Sequence, residues 1–323
     1  MPPIVQVEDL ARSYRYRRRA RGWRGVIASE WHQIDALAGI SFAVEAGERV
    51  AVIGPNGAGK STTLKMLAGI LEPSAGQAHV FGMVPWRQRR ALAYRIGVVF
   101  GQRSQLWAEL PARDSFELLR RVYDIDKATF DARLLSLCER FELHDLLPQA
   151  VHRMSLGQRM RCEVTASLLH APSLLFLDEP TIGLDVTAKA AIRDFITSHA
   201  RDHGMTVLLT SHDTRDVELV CDRVIVINDG RIVLDQPTAQ LRQRYLGRKI
   251  VRLQSAGTAV ELQLPGVVQR TVSAHALELE VDTRVVRVED VIAAALAHGG
   301  IEDINIEDPP MDEVIQGIYA GND

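Results

Sequence analysis

The stretch RVAVIGPNGAGKSTTLKMLAG, residues 49–69, decides how the rest of the chain is read. A continuous apolar run, RVAVI, is followed by a glycine-rich loop and then by apolar residues at helical spacing. The loop GPNGAGKS, Gly54 to Ser61, fits the pattern G-x-x-x-x-G-K-[ST] between a strand and a helix, the context that such a phosphate loop requires. Across Gly54, Pro55, Asn56, Gly57, Ala58 and Gly59 the backbone can curl so that several N–H groups converge on phosphate oxygens. The helix that follows adds the positive end of its dipole. Lys60 supplies a point charge for β and γ phosphates, Ser61 a hydroxyl for Mg²⁺, and Thr62 a second hydroxyl in the first helical turn. A glycine-rich turn without ligand is the competing reading, and the strand-loop-helix context sets it aside.

Outward from this loop the chain alternates. RIGVVF, SLLFL, MTVLLT and RVIVI are further near-continuous apolar runs, as in parallel strands covered on both faces. Helical patterns fall at residues 60–67, 114–123, 127–141, 158–169 and 186–203. The alternation predicts an α/β core with a parallel sheet. IVQVEDL and ISFAVEAGE read as strands of an antiparallel β edge, the second closed by a turn at Gly47. Residues 105–157 lack strand signals and read as a helical subdomain inside the α/β domain. After residue 239 the pattern changes to half-buried alternation in KIVRLQ, AVELQL and ALELEV, followed by helical patterns in VEDVIAAALAHGG and MDEVIQGIYA. Residues 1–239 are therefore expected to form one domain and residues 240–323 a small α+β accessory domain.

The second half of a phosphate site is also present. SLLFLDEP ends a buried strand with Asp178 and Glu179, where open α/β sheets place ligands. Asp178 suits Mg²⁺ through its water shell, and Glu179 suits the orientation and activation of an attacking water. His212 follows the next apolar strand, TVLLTSHD, within reach of a γ phosphate. Gln102, after GVVFG, is placed for Mg²⁺ or the water. Each of these last two signals is weak when taken alone.

In their order, GPNGAGKST, Gln102, MSLGQRM (154–160), LLFLDEPTIGLD (174–185) and His212 resemble the ATPase subunit of an ATP-binding cassette (ABC) transporter, over about residues 1–240. The resemblance implies a P-loop NTPase fold of the ABC type with ATP and Mg²⁺ as cofactors, Glu179 as catalytic base and His212 as switch histidine. It implies that Asp185 ends a loop linking two cassettes. It also implies a head-to-tail dimer, of identical or related subunits, in which Ser155, Gly157 and Gln158 cap the ATP held by the other subunit. Tyr14 is the best match to an adenine-stacking aromatic, with Tyr16 close behind. The usual signature is Leu-Ser-Gly-Gly-Gln. Met154 and Leu156 depart from it, and Leu156 fits if its backbone keeps a negative φ with its side chain turned from phosphate. FGQRSQLWAELPARDSF and the chain's ending resemble a bacterial subgroup of exporters with separate membrane permeases.

Composition bounds the remainder. The 323 residues carry 38 Lys and Arg against 41 Asp and Glu, a net charge of -3, so no global basic field points to nucleic acid. The three cysteines have no metal or redox spacing, which suits buried thiols in a reducing cytoplasm. No secretory signal pattern and no apolar run near ~20 residues is read, so a cytoplasmic chain is expected on the inner face of a bacterial membrane, with the permease spanning it. Arg12, Arg15, Arg17, Arg18, Arg19, Arg21 and Arg24 cluster beside Trp23 and Trp31. A solvated loop, contact with anionic lipid headgroups and nucleic-acid tracking are the three readings of that cluster. A soluble cassette protein acting on ribosomes or DNA is the rival function. The single P-loop and the absence of a long heptad insertion speak against it.

Overall fold

The computed structural model of the chain describes residues 2–19, 29–101, 104–245, 248–255, 262, 264–273, 276–297 and 300–307. It opens with β1 (Val5–Arg19) and β2 (Ser29–Val44), then β3 (Arg49–Ile53), α1 (Lys60–Leu67), β4 (Ala75–Val80), α2 (Arg89–Ala93) and β5 (Ile96–Phe100). Two helices follow, α3 (Ala112–Val122) and α4 (Lys127–Phe141), and a 3-10 turn at Val151–Arg153 leads into α5 (Leu156–Leu168). The core then alternates through β6 (Leu174–Asp178), α6 (Val186–His203), β7 (Thr206–Ser211), α7 (Thr214–Val220), β8 (Arg223–Asn228) and β9 (Arg231–Pro237).

The apolar runs become one sheet in the order β5-β6-β7-β3-β8-β9, with β5, β6, β7, β3 and β8 paired in parallel. β1, β2 and β4 form a separate antiparallel sheet. Val50, Val52, Phe176, Leu208 and Ile225 of the first sheet share a buried cluster with Leu64, Met66 and Leu67 of α1 and with Leu10, Leu37 and Ile40 of the second. Burial on both faces is why these strands read as unbroken apolar runs. Local chemistry sets the helix ends. Asp126 and Asp185 cap α4 and α6 by accepting from Thr129 N and Ala188 N, and α6 stops at Gly204 with φ 60°. The turn from β8 to β9 holds Asp229 and Gly230, both at positive φ, the requirement of a tight hairpin turn.

Several elements differ from the sequence reading. Residues 12–19 are strand, paired with residues 29–37, and not loop. β4 and β9 were not legible because their exposed positions break the apolar pattern. α3 and α5 each begin two residues earlier than their periodicity suggests, after Pro111 and Ser155. Residues 105–157 hold helices and turns, with an isolated bridge between Pro111 and Ala150.

The chain divides into two compact units, residues 1–236 and 237–323. The second contains α8 (Thr238–Tyr245), β10 (Arg248–Ser255), β11 (Val267–Ser273), β12 (Ala276–Asp282), α9 (Val288–Ala297) and β13 (Ile301–Glu307). Its antiparallel sheet runs β11-β12-β10-β13 over a core of Val251, Leu253, Leu277, Leu279, Val281, Val291 and Ala295. AVELQL lies mostly, and MDEVIQGIYA wholly, outside the described residues.

In the first unit a histidine joins the helical part to the sheet. His170 stacks on Tyr123 at 4.0 Å and its Nε2 lies 2.9 Å from the Ile96 carbonyl, which assigns the proton to Nε2. Its Nδ1 is buried without a partner, so protonation there would create an N–H⁺ with no acceptor. Burial pushes the His170 pKa from 6.5 down to about 4, and burial with His203 and Arg140 does the same to His199. A depressed folded pKa gives stability that is present above the unfolded value and lost as pH falls toward the folded one. Unfolding free energy should therefore drop between pH 6.5 and pH 4.5 by on the order of 1–3 kcal/mol for each histidine. Denaturant titrations of wild type and His170→Gln at both pH values check this, and the variant should lose measurably less.

Candidate active site

The loop between β3 and α1 is pressed against both sheets. A Cβ at Gly54 would lie 2.2 Å from the Ile227 carbonyl of β8, and one at Gly59 2.4 Å from the Ala36 carbonyl of β2. Gly59 also holds φ 102°, a conformation that favours glycine. This loop forms one wall of a cavity of about 490 Å³, lined by Asn56, Gly57, Ala58, Gly59, Lys60, Ser61 and Thr62. Phe100 at the end of β5 and Gly101 after it, with Asp178 at the end of β6 and Glu179 after it, line it as well.

Charge within this cavity is tightly arranged. The Lys60 ammonium donates to the carbonyls of Gly54 at 2.7 Å and Pro55 at 3.2 Å, and lies 3.7 Å from Glu179 Oε1. Burial lowers its pKa, partly offset by the nearby carboxylates of Glu179 and Asp178. Ser61 Oγ donates to Asp178 Oδ1 at 2.8 Å and Thr210 Oγ1 to the same oxygen at 2.7 Å. The hydroxyl of Ser61 and the carboxylate of Asp178 form an oxygen-only donor pair, which fits a hard cation such as Mg²⁺. His212 Nδ1 lies 3.4 Å from the other Glu179 oxygen, Oε2. Glu179 itself has φ 52°, uncommon for a residue with a side chain, and its N–H is held by the carbonyl (3.0 Å) and hydroxyl (3.2 Å) of Thr210.

Lys60, Ser61, Asp178, Glu179 and His212 thus meet at the carboxyl ends of β3, β6 and β7. Gln102 lies outside the described residues. Ser155, Gly157 and Gln158 begin α5 and are not among the residues lining the cavity. Ser155 Oγ accepts from Gln158 N at 3.2 Å while Gln158 Oε1 accepts from Ser155 N at 2.9 Å, a complete capping box. Leu156 takes the first helical position with negative φ. Asp185 caps α6. Tyr14 and Tyr16 are both exposed on the β1–β2 ribbon; the Arg12 guanidinium covers the Tyr14 ring at 4.9 Å, and Tyr16 stacks on His32.

Two groups escaped the sequence reading. Thr210 anchors both carboxylate residues, and its signal was a polar residue closing the apolar run MTVLLT, two residues before His212. Glu163, 4% exposed in mid-helix α5, accepts from the Ser104 hydroxyl and from Gln105 N at 3.1 Å. Burial raises its pKa against those hydrogen bonds. It ties the segment just after Gln102 to the helix that starts at Ser155, a link between distant positions that no local pattern announces.

Comparison with known proteins agrees with this geometry. A sequence profile described as ABC transporter matches residues 37–182. The chain is 36% identical over 286 residues to the daunorubicin resistance ATP-binding protein DrrA3 of Streptomyces coeruleorubidus, covering 86% of this chain and 89% of that protein. It is 35% identical over 200 residues to the ABC transporter ATP-binding protein NatA of Bacillus subtilis, covering 62% and 81%. Among solved structures, an ATP-binding subunit of an ABC transporter superposes with a TM-score of 0.63 at 26% identity, covering 75% of this chain and 93% of that one.

The helical backbone at Leu156 bears on its departure from the usual signature. Leu156→Gly keeps the capping box and introduces a poorer helix former, which should cost about 1 kcal/mol of stability or less. ATP turnover of this variant should stay within about twofold of wild type, since a 1.4 kcal/mol change in barrier is needed for tenfold. A tenfold loss in a steady-state assay would show that the leucine side chain serves the nucleotide directly.

Proposed function

The chain belongs to the ABC transporter family as an ATP-hydrolysing, ATP-binding subunit, and we propose that it powers export through a separate membrane permease. Its similarity to drug-resistance ATP-binding proteins supports export. Among the described residues no helix is long and apolar enough to cross a membrane, which supports a spanning partner on another chain. In this reading the protein is a peripheral subunit on the cytoplasmic face.

The observation carrying the catalytic reading is the convergence of Lys60 and His212 on the two oxygens of Glu179 at the mouth of the phosphate loop. Loop N–H groups and the Lys60 ammonium bind the β and γ phosphates. Ser61 and Asp178, with Gln102 as the third proposed ligand, would hold Mg²⁺, which when bound neutralises phosphate charge. Glu179 orients the attacking water and takes its proton, and His212 steadies Glu179 and reaches the γ phosphate. Tyr14, whose cross-strand partner Ile34 lies two residues before Ala36, is the proposed adenine-stacking aromatic. Because the signature residues begin a helix and do not line this cavity, they serve a second copy. Ser155 and the Gly157 N–H then cap the partner's γ phosphate, and Asp185 sits in the loop between the two cassettes. Glu179→Gln keeps the shape and removes the base. It should retain ATP, lose turnover by at least ~10²-fold, and form a dimer stable in ATP and Mg²⁺ by size exclusion. A variant that stays monomeric with bound ATP would count against the sandwich.

The β1–β2 ribbon adds a contact with anionic lipid. Beyond Ala11 the ribbon loses β4 and is two-stranded, a form of marginal stability alone in water. It presents Tyr14, Tyr16, Trp31 and Ile34, all exposed; positions 12–24 are rich in arginine and free of acidic residues, while β2 carries Glu30 and Asp35. Each basic residue near an anionic surface contributes ~1 kcal/mol. Replacing Arg15, Arg17, Arg18 and Arg19 with serine should abolish co-sedimentation with phosphatidylserine vesicles while leaving ATP turnover intact. Undiminished sedimentation would exclude the contact.

A further inference from the structure

Behind the catalytic pair lies a buried polar network that the phosphate chemistry does not itself use. Asp216, in the first turn of α7, is 1% exposed. Its Oδ1 accepts from Arg193 Nε of α6 at 2.6 Å. Its Oδ2 accepts from two hydroxyls, Thr181 Oγ1 at 2.6 Å and Ser211 Oγ at 2.5 Å. Thr181 is 3% exposed and Ser211 1%, so neither hydroxyl has water as an alternative partner. Arg193, 6% exposed, continues to Asp213 Oδ2 at 2.9 Å, where Lys189 also binds at 2.8 Å. Asp213 N in turn donates to Ser211 Oγ at 2.9 Å.

The positions of the two hydroxyl donors give the network its meaning. Thr181 stands two residues after Glu179, and Ser211 stands immediately before His212. One carboxylate oxygen therefore receives both the loop that carries the carboxylate of the active site and the loop that carries its histidine. Glu179 and His212 meet at 3.4 Å, with the His212 side chain 53% exposed. The Glu179 backbone also sits at positive φ, a conformation that persists only where its surroundings over-determine it. Burial of Asp216 would be costly without compensation, and the Arg193 guanidinium and two hydroxyls supply it.

We infer that Asp216 is a positioning residue that holds the Glu179 and His212 loops in a common register through Thr181 and Ser211. It touches no reacting atom and acts through the geometry of the two that do. This rests on the roles proposed above for Glu179 and His212, and it adds a requirement of its own. Loss of either hydroxyl should misplace the pair for catalysis without disturbing the phosphate loop that binds ATP.

Thr181→Val and Ser211→Ala each delete one hydroxyl and leave the Arg193–Asp216 pair intact, so the fold is expected to survive. Steady-state ATPase assays of the full chain should show kcat lowered at least fivefold in each, with KM for ATP within twofold of wild type. Because both hydroxyls act on one oxygen, the double variant should lose much less than the product of the two single losses. Asp216→Glu should recover part of the kcat lost in Asp216→Asn. Wild-type kcat in both single variants, or kcat and KM falling together with the melting temperature, would overturn the inference. Glu179→Gln and His212→Ala, assayed alongside, separate the two levels. If either turns over ATP at the wild-type rate, the site assignment fails and this inference with it. If both are impaired while the hydroxyl variants are normal, only the positioning role fails.

Discussion

The close approach of backbone to backbone at Gly54 and Gly59 is the constraint on which this structure turns. At the first, β3 leaves the sheet with no room for a Cβ beside the carbonyl of Ile227; at the second, α1 begins against the carbonyl of Ala36. The loop is thereby clamped between the parallel sheet and the antiparallel one, and the buried cluster shared by both sheets and α1 closes behind it. Such clamping fixes the N–H groups of the loop before any phosphate arrives. Preorganised donors need little reorganisation when charge binds, which is where electrostatic catalysis gains most.

With the loop fixed, the parallel sheet does the rest of the placing. Strands in parallel register bring their carboxyl ends to one edge, so Ile53, Asp178 and Ser211 fall near one another although they lie more than a hundred residues apart in part. Thr210 shows how register becomes chemistry. It pairs with Asp178 across the sheet, and its hydroxyl and carbonyl then hold both Asp178 and the strained backbone of Glu179. A slip of one residue would turn Thr210 to the opposite face and leave both carboxylates without that support.

The parts of the molecule legible in the sequence share one property: the chemistry and its position are encoded in the same short stretch. GPNGAGKS with its flanks and LLFLDEP belong to this class, and the central parallel strands were readable because burial on both faces makes them uniformly apolar. Features built by pairing distant stretches were not legible. The extended β1–β2 ribbon is strand because residues 12–19 find residues 29–37, although an arginine-rich composition reads locally as loop. Glu163 and Asp216 look like ordinary helix-surface carboxylates until the fold brings Ser104, Thr181, Ser211 and Arg193 to them. Nothing within four residues of either announces a buried role.

Leu156 illustrates how a departure from a familiar pattern can be absorbed. Glycine is required where φ is positive or where another backbone comes close, and position 156 has neither demand, since it opens a helix whose cap is already complete. Its side chain turns toward the loop before α6 instead, where a Cβ at Gly183 would meet Leu156 Cδ2 at 2.9 Å. Gly183, with φ 70°, thus provides both the turn and the space for the leucine. Bulk at position 156 is thus accommodated by the absence of a side chain in the adjoining loop. Leu156 therefore packs against the turn at Gly183 while the capping box keeps its own backbone helical.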